Sequence, residues 1–244
     1  MRAATAPQVL LAAGFALNAL LLWAFARGAG IALLRLGEAA QALLARRGWL
    51  RPVVAFFSGM AVGLAFEVLG LSTGLPFGQY RYEWPAPSVL GVPVPVVFGW
   101  GLYLLVSYLL ALSALRGAAA RVTYAGALMV CLDLAIDPVM TSRGLWVWAR
   151  RGEWFGIPLE NFAGWFLVSA VALLPAELAG GERREALEPL ASVAAYLAAF
   201  LPLFAIAAPT VLPAALAGAA LGGLLSAAAV AVSLRGAGVP RRAA

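Results

Sequence analysis

The chain alternates between long apolar runs and short polar connections. Seven runs are long enough to cross the roughly 30 Å hydrocarbon core of a bilayer as a helix. They lie at residues 8–27, 53–72, 92–115, 122–140, 157–178, 189–207 and 211–234. The pattern predicts an all-α fold, namely a polytopic membrane helix bundle of about seven transmembrane helices in a single domain over residues 1–244.

Polar and aromatic motifs are concentrated between residues 56 and 170, whereas the last two runs, within 189–234, contain mostly Ala, Leu, Gly and Val. We interpret the C-terminal third as scaffold helices. Gly218 and Gly222 form a small-xxx-small pair, which is typical of close helix packing.

The N-terminal region raises two questions of interpretation. Ala24-Phe25-Ala26 resembles a signal-peptide cleavage site, but the apolar run before it is longer than a usual signal-peptide core, so we expect a retained span. Residues 31–47 place Leu33, Leu36 and other apolar side chains at helical spacing. Both an interfacial amphipathic helix and an extension of the first helix fit this pattern.

The arginines predict the orientation of the bundle in the membrane. With seven spans, the N-terminus and the even-numbered loops share one side, and they hold Arg2, Arg81, Arg143, Arg150 and Arg151. The remaining twelve of the 17 basic residues lie on the other side. The positive-inside rule therefore predicts an N-terminus outside the cytoplasmic membrane of a bacterium or archaeon, with the loops 73–91 and 141–156 on the outer face.

Composition excludes several classes of protein. The hydrophobic fraction is 64% and the charged fraction 11%, which excludes a soluble domain. The chain has no lysine and no histidine, so retinal Schiff bases, phosphate-loop lysines, haem histidines and histidine bases are excluded. Its single cysteine, Cys131, cannot form an intrachain disulfide and is expected to pack in the core. We interpret the net charge of +6 as a topology signal, with no nucleic acid as partner.

An ionisable side chain inside a span costs roughly 2.5–3.5 kcal/mol on insertion scales, and three such side chains stand out. They are Glu67, Asp133 and Asp137, and the two aspartates are four residues apart, so they share one helix face. Glu160 and Asn161 begin the fifth run from the same side. We expect these groups to converge at one membrane depth. Crowded carboxyl groups in a low-dielectric medium do not all ionise, so at least one is expected to keep its proton. The alternative is a structural network in which the acids pair with nearby arginines.

Aromatic residues cluster near the same two outer loops. The interfacial aromatic belt accounts for Trp148 and Trp154, whereas rings that project inward could stabilise a developing cation. The cluster comprises Tyr80, Tyr82, Trp84, Trp100, Trp146, Trp148, Trp154 and Trp165.

Five motifs in one unbroken order, within residues 56–170, resemble the carotenoid biosynthesis membrane proteins. This family includes carotenoid 1,2-hydratases of the CruF type and bisanhydrobacterioruberin hydratases. The motifs are the segments 67–82 (EVLGLSTGLPFGQYRY), 91–95 (GVPVP), 133–138 (DLAIDP), 146–148 (WVW) and 154–165 (WFGIPLENFAGW).

The resemblance implies an enzyme without a cofactor that adds water to the terminal double bond of an acyclic carotenoid dissolved in membrane lipid. The reaction needs a carboxylic acid to protonate the alkene, aromatic faces beside the tertiary carbocation, and a carboxylate to accept a proton from water. We expect Asp133 or Asp137 to be the acid, and the other, with Glu67, to act as base or water holder. Expected substrate-binding residues are Tyr80, Tyr82, Trp100, Trp146, Asn161 and Trp165.

Two other functions remain open. The Asp133-xxx-Asp137 spacing resembles half of a magnesium-dependent membrane prenyltransferase site, although no second acid-rich motif is present. The other possible function is that of a non-enzymatic protein that binds or transports a carotenoid and uses the acids for proton coupling. The resemblance predicts no metal ligands, and the sequence predicts neither the oligomeric state nor the length of the carotenoid.

Overall fold

A computed structural model describes the backbone of residues 50–179 and 189–237, and the side chains up to residue 231. The predicted first span at 8–27, the sequence resembling a cleavage site at 24–26 and the alternatives for 31–47 lie outside the described residues.

The described chain is helical except at one end of the bundle. The helices are α1 (Leu50–Thr73), α2 (Val94–Ala114), α3 (Ala118–Ser142), α4 (Leu159–Leu178), α5 (Pro189–Ala198), α6 (Leu201–Ile206) and α7 (Leu212–Ala237). Four short strands are β1 (Tyr80–Tyr82), β2 (Ser88–Val89), β3 (Val92–Pro93) and β4 (Trp146–Trp148).

Within the described residues, six stretches are long and apolar enough to cross a membrane. They are Leu50–Thr73, Val94–Ala114, Ala118–Ser142, Leu159–Leu178, Pro189–Ile206 and Leu212–Ala231. The protein is therefore a multi-pass, all-α membrane bundle, as the apolar pattern predicts. The predicted span 189–207 differs in one respect, because it consists of α5 and α6. Pro202 lies in the first turn of α6 and has no N–H to continue the ladder from α5.

The first four helices form a ring. Helix α1 packs on α2 and α4, and α3 packs on the same two helices from the other side. Helix α5 packs on α2, and α7 packs on α3 and α2, so the C-terminal helices flank one side of the ring. Helices α1 and α3 terminate, and helices α2 and α4 start, at the same end of the ring. We name this the site end.

Two small antiparallel sheets cover the site end. Strand β1 pairs with β4, with Tyr80 opposite Trp148 and Tyr82 opposite Trp146, and β2 pairs with β3 in a separate hairpin. The sequence predicts loops at 73–91 and 141–156 but not this sheet. The pairing joins two segments more than 60 residues apart, and local patterns carry no information on such contacts.

Small residues let α1 and α2 approach closely. The buried face of α1 carries Gly59, Gly63, Glu67 and Gly70. A Cβ atom at Gly63 would lie 2.7 Å from Cβ and 2.8 Å from Cδ1 of Trp100 on α2. Glycine is therefore needed here so that the indole of Trp100 can lie against the backbone of α1 one turn before Glu67.

Replacement of Gly63 tests this packing. Gly63→Ala is expected to lower the stability of the detergent-solubilised protein by about 1–3 kcal/mol, because the added methyl group overpacks the contact with Trp100. Gly223→Ala is the matched control, since a Cβ atom at this helical position meets nothing within 4 Å. Thermal unfolding of both variants checks the prediction, and an equal change in midpoint would contradict it.

Candidate active site

A cavity of about 580 Å³ lies at the site end, inside the ring of α1 to α4 and beneath the β1–β4 sheet. Eight of the nine residues predicted to act as catalytic or substrate-binding residues line the cavity: Glu67, Tyr80, Tyr82, Trp100, Asp137, Trp146, Asn161 and Trp165. The ninth, Asp133, is fully buried one turn before Asp137 on α3 and is not part of the cavity wall. The structure thus brings together residues from four helices and two strands.

The Glu67 carboxyl group accepts hydrogen bonds from three side chains. Trp100 Nε1 donates to Oε1 at 2.8 Å, and the Tyr82 hydroxyl donates to Oε2 at 2.6 Å. The Tyr80 hydroxyl also donates to Oε2. The Glu67 side chain is buried, with 5% exposure. Burial disfavours the charged form, whereas the three hydrogen-bond donors favour the carboxylate.

Local sequence explains why both tyrosines reach Glu67. Alternate residues of a strand lie on the same face, so Tyr80 and Tyr82 in β1 both project towards α1. Gly70 lies one turn after Glu67, and a Cβ atom there would be 3.1 Å from the Tyr80 hydroxyl. The absence of a side chain at Gly70 therefore leaves room for the ring of Tyr80.

The two phenols are suited to donating hydrogen bonds. Burial raises the pKa of Tyr80 and of Tyr82 well above the ordinary value for tyrosine, and the nearby Glu67 carboxyl group raises both further. Both hydroxyls therefore keep their protons at neutral pH, and each can act as a donor to the carboxylate.

Asn161 joins the two aspartates. Its side-chain Nδ2 donates to Asp133 Oδ2 at 2.6 Å and to Asp137 Oδ2 at 2.6 Å. The other oxygen of Asp133, Oδ1, is buried and accepts no hydrogen bond within the described part of the chain. The Asn161 amide group, from the first turn of α4, thus supports both carboxyl groups of α3, and Trp146 is a further side-chain hydrogen-bond partner of Asp137.

The three acids form no ion pair with any residue in the described ranges, so the alternative of a structural network with arginines does not describe them. Arg81 pairs with Glu83 at the surface. Arg143 donates to the backbone carbonyl of Ile206. Glu160, which the sequence places near the acids, is exposed.

Aromatic rings form most of the cavity wall. Trp100 and Trp165 stack with their ring centroids 4.3 Å apart. Tyr82 meets Trp146 edge to face at 5.7 Å, and Tyr80 lies 5.1 Å from Trp148 across the β1–β4 sheet. The cavity is therefore apolar and rich in π faces beside two separate groups of carboxyl side chains.

Nine further residues line the cavity and were not predicted as site residues: Phe77, Trp84, Pro95, Val96, Gly99, Tyr103, Ile136, Met140 and Trp148. The sequence spacing relative to predicted site residues identifies two of these nine. Tyr103 follows Trp100 by three residues on α2, and Trp148 follows Trp146 by two on a strand, so each shares a face with a predicted residue. The sequence analysis assigned Trp148 to the aromatic belt, whereas its ring packs on Tyr80 in the cavity wall.

Acid–base chemistry suits this arrangement. Within the described residues, no group of three or more His, Cys, Asp or Glu side chains could hold a metal ion. The cavity combines Asp137 and Glu67 with aromatic faces. Groups that can donate and accept a proton therefore lie beside rings that can stabilise a cation.

Replacement of Asn161 tests the support of the aspartates. Asn161→Leu is expected to lower the stability by about 1–3 kcal/mol, because two buried carboxyl groups lose their shared donor. The loss is expected to be smaller in an Asp133→Asn background, since the amide of the new side chain can donate to Asp137. Thermal unfolding of the four proteins in detergent measures this, and equal losses in both backgrounds would contradict the arrangement.

Comparison with known proteins identifies the family of this chain. The profile of the family described as "Carotenoid biosynthesis protein" matches residues 27–230. The bisanhydrobacterioruberin hydratase of Haloarcula japonica is 33% identical over 114 residues, which cover 44% of this chain and 39% of that protein. No solved structure matches the chain.

The family match covers most of the chain, including every helix that contributes to the cavity. The chain therefore belongs to the carotenoid biosynthesis protein family.

Proposed function

We propose that this protein is a carotenoid hydratase that adds water to the terminal double bond of an acyclic carotenoid end. The observation that carries the proposal is the position of two carboxyl groups with different partners, Asp137 and Glu67, in the wall of one aromatic cavity. The partial similarity to a bisanhydrobacterioruberin hydratase supports the same reaction class.

The cavity suits the end of a hydrocarbon chain. Its wall is largely apolar, as is usual for small-molecule sites. An acyclic carotenoid end has no polar group to recognise, so shape and apolar contact provide its affinity. Phe77, Ile136 and Met140 supply such contacts.

Asp137 is the proton donor in this proposal. It lines the cavity, whereas Asp133 does not, so only Asp137 can reach a bound alkene. Two carboxylates on one amide in a low-dielectric medium would repel each other, and a proton held by the pair removes that repulsion. Asn161 keeps the pair in place and so acts as a positioning residue.

Glu67 is the carboxylate of the site. Its three donors stabilise the negative charge, and the charge in turn stabilises a cation in the cavity. The water that attacks the cation lies between Glu67 and the reacting carbon.

The aromatic faces stabilise the intermediate. Protonation of the less substituted alkene carbon leaves a tertiary carbocation, and a cation gains energy from the negative face of an indole or phenol ring. The stacked pair Trp100 and Trp165, together with Trp146, surrounds the carboxyl groups. The ring electrons are not consumed, so the rings need no regeneration.

The reaction balances without a redox partner. The proton from Asp137 forms the new C–H bond as the alkene π pair is used, and the water oxygen forms the new C–O bond. The oxonium then loses one proton to Glu67, and transfer of this proton to the aspartate pair restores the starting state. One alkene and one water give one tertiary alcohol.

The proposal places the protein in the cytoplasmic membrane of a bacterium or archaeon, with the N-terminus outside and the cavity towards the outer leaflet. The uneven distribution of arginines between the two sides supports this orientation. The substrate then reaches the cavity from the lipid phase.

Expression in a bacterial host that accumulates lycopene tests the function. The expected product is one water heavier than lycopene by mass and elutes earlier as a tertiary alcohol. Asp137→Asn is expected to lower its formation by about 10²–10⁴-fold, since an amide cannot serve as the general acid. Chromatography with mass detection, at equal protein levels, measures both.

Glu83→Gln is the matched control, because Glu83 is an exposed carboxyl group at the same end of the bundle and pairs with Arg81. Full turnover by Asp137→Asn would contradict the role of Asp137. Carotenoid binding without any hydrated product would favour a binding or transport protein, and transfer of a prenyl group stimulated by magnesium would favour a prenyltransferase. Either result would overturn the proposal.

A further inference from the structure

Helix α3 lacks one backbone hydrogen bond between its two aspartates. In an α-helix the N–H of residue 138 would donate to the carbonyl of Leu134, but residue 138 is a proline and has no N–H. The carbonyl of Leu134 lies between Asp133 and Asp137 in the chain. Proline inside a helix also permits a bend, so the relative position of the two acids depends on what holds this segment.

A side chain from outside the helix takes the place of the missing N–H. Trp154 Nε1 donates to the Leu134 carbonyl oxygen at 3.0 Å. Trp154 is only partly buried, and the sequence analysis assigned it to the interfacial aromatic belt. The bond to Leu134 gives this indole a more specific role, because it reaches the one carbonyl that Pro138 leaves free.

The segment that carries Trp154 is itself held firmly. The backbone N–H of Trp154 donates to the Ile157 carbonyl at 3.1 Å, and the N–H of Ile157 donates back at 2.9 Å. Gly152 N–H also donates to the Gly156 carbonyl at 3.0 Å. Four residues after Ile157, Asn161 binds both aspartates. The stretch from 152 to 161 thus holds α3 at its backbone and at its acidic side chains.

We propose that Trp154 is a positioning residue that acts through the Leu134 carbonyl and fixes the geometry of α3 around Pro138, so that Asp137 faces the cavity. The inference rests on the proposed function for its effect on turnover. Trp154 is not part of the cavity wall, so it does not touch the substrate. A small displacement of an acid from its reacting atom is enough to slow a reaction by up to about 10²-fold.

A double-mutant cycle between Trp154 and Pro138 tests the inference. Trp154→Phe removes the indole donor and keeps an aromatic ring. Pro138→Ala restores a backbone N–H that can satisfy Leu134 within the helix. Trp154→Phe is expected to lower the unfolding midpoint by about 2–4 °C in the natural background and clearly less in the Pro138→Ala background, because Leu134 then has its own partner.

The same variants give a kinetic test with purified protein and lycopene in liposomes. Trp154→Phe is expected to lower kcat by about 10–100-fold with little change in KM, since the substrate contacts remain. Ser58→Ala is the matched control, because Ser58 also donates to a helix carbonyl, that of Ala172, but lies more than two turns of α1 before Glu67. It is expected to leave kcat unchanged.

Equal effects of Trp154→Phe in both backgrounds would overturn the inference, as would a change in KM alone. If Pro138→Ala does not fold, Trp154→Gln replaces it in the test, since glutamine keeps a side-chain N–H donor and is expected to retain more kcat than phenylalanine. The unfolding cycle needs no product. A measured coupling with no hydration by the natural protein would therefore overturn the proposed function, whereas an absent coupling overturns the role of Trp154.

Discussion

The burial of carboxyl groups inside an apolar bundle, with no cation from the described residues beside them, is the constraint on which the rest of the structure depends. A buried carboxyl group needs hydrogen-bond donors from the protein, because hydrocarbon offers none. Glu67 obtains donors from a strand and from α2, and the aspartates obtain theirs from α4. The β1–β4 sheet and the tight helix contacts at the site end place those donors, so the fold there follows from the acids.

At the opposite end of the ring, a buried acid is stabilised by an ion pair. Glu177 near the end of α4 accepts two hydrogen bonds from Arg121 of α3, at 2.7 and 2.5 Å, and one from Tyr108 at 2.8 Å. Both charged side chains are largely buried. A bidentate ion pair neutralises the acid and joins three helices, whereas the acids at the site end have only neutral donors. The contrast supports a structural role for Glu177 and a chemical role for Glu67 and Asp137.

The residues that give the site its shape are often the ones without side-chain chemistry. Gly63 admits Trp100, Gly70 admits Tyr80, and Pro138 leaves a carbonyl for Trp154. The two glycines have no side chain, and the proline has no N–H. A side chain from a neighbouring segment fills the space beside each glycine, and another makes the hydrogen bond that the proline cannot make. Helix association in a membrane depends on close packing and on polar contacts rather than on exclusion of water. Contacts of this kind therefore stabilise the bundle.

The sequence by itself determined the helices and the identity of the acids. Long apolar runs have one stable form in a bilayer, and a carboxyl group within such a run is costly enough to stand out. The helical spacing of four residues also placed Asp133 and Asp137 on one face. Only the tertiary structure decided that Asp137 lines the cavity and Asp133 does not, that Tyr80 and Tyr82 bind Glu67, and that Trp148 belongs to the wall. Those facts depend on contacts between segments far apart in the chain, and periodicity within one segment does not encode them.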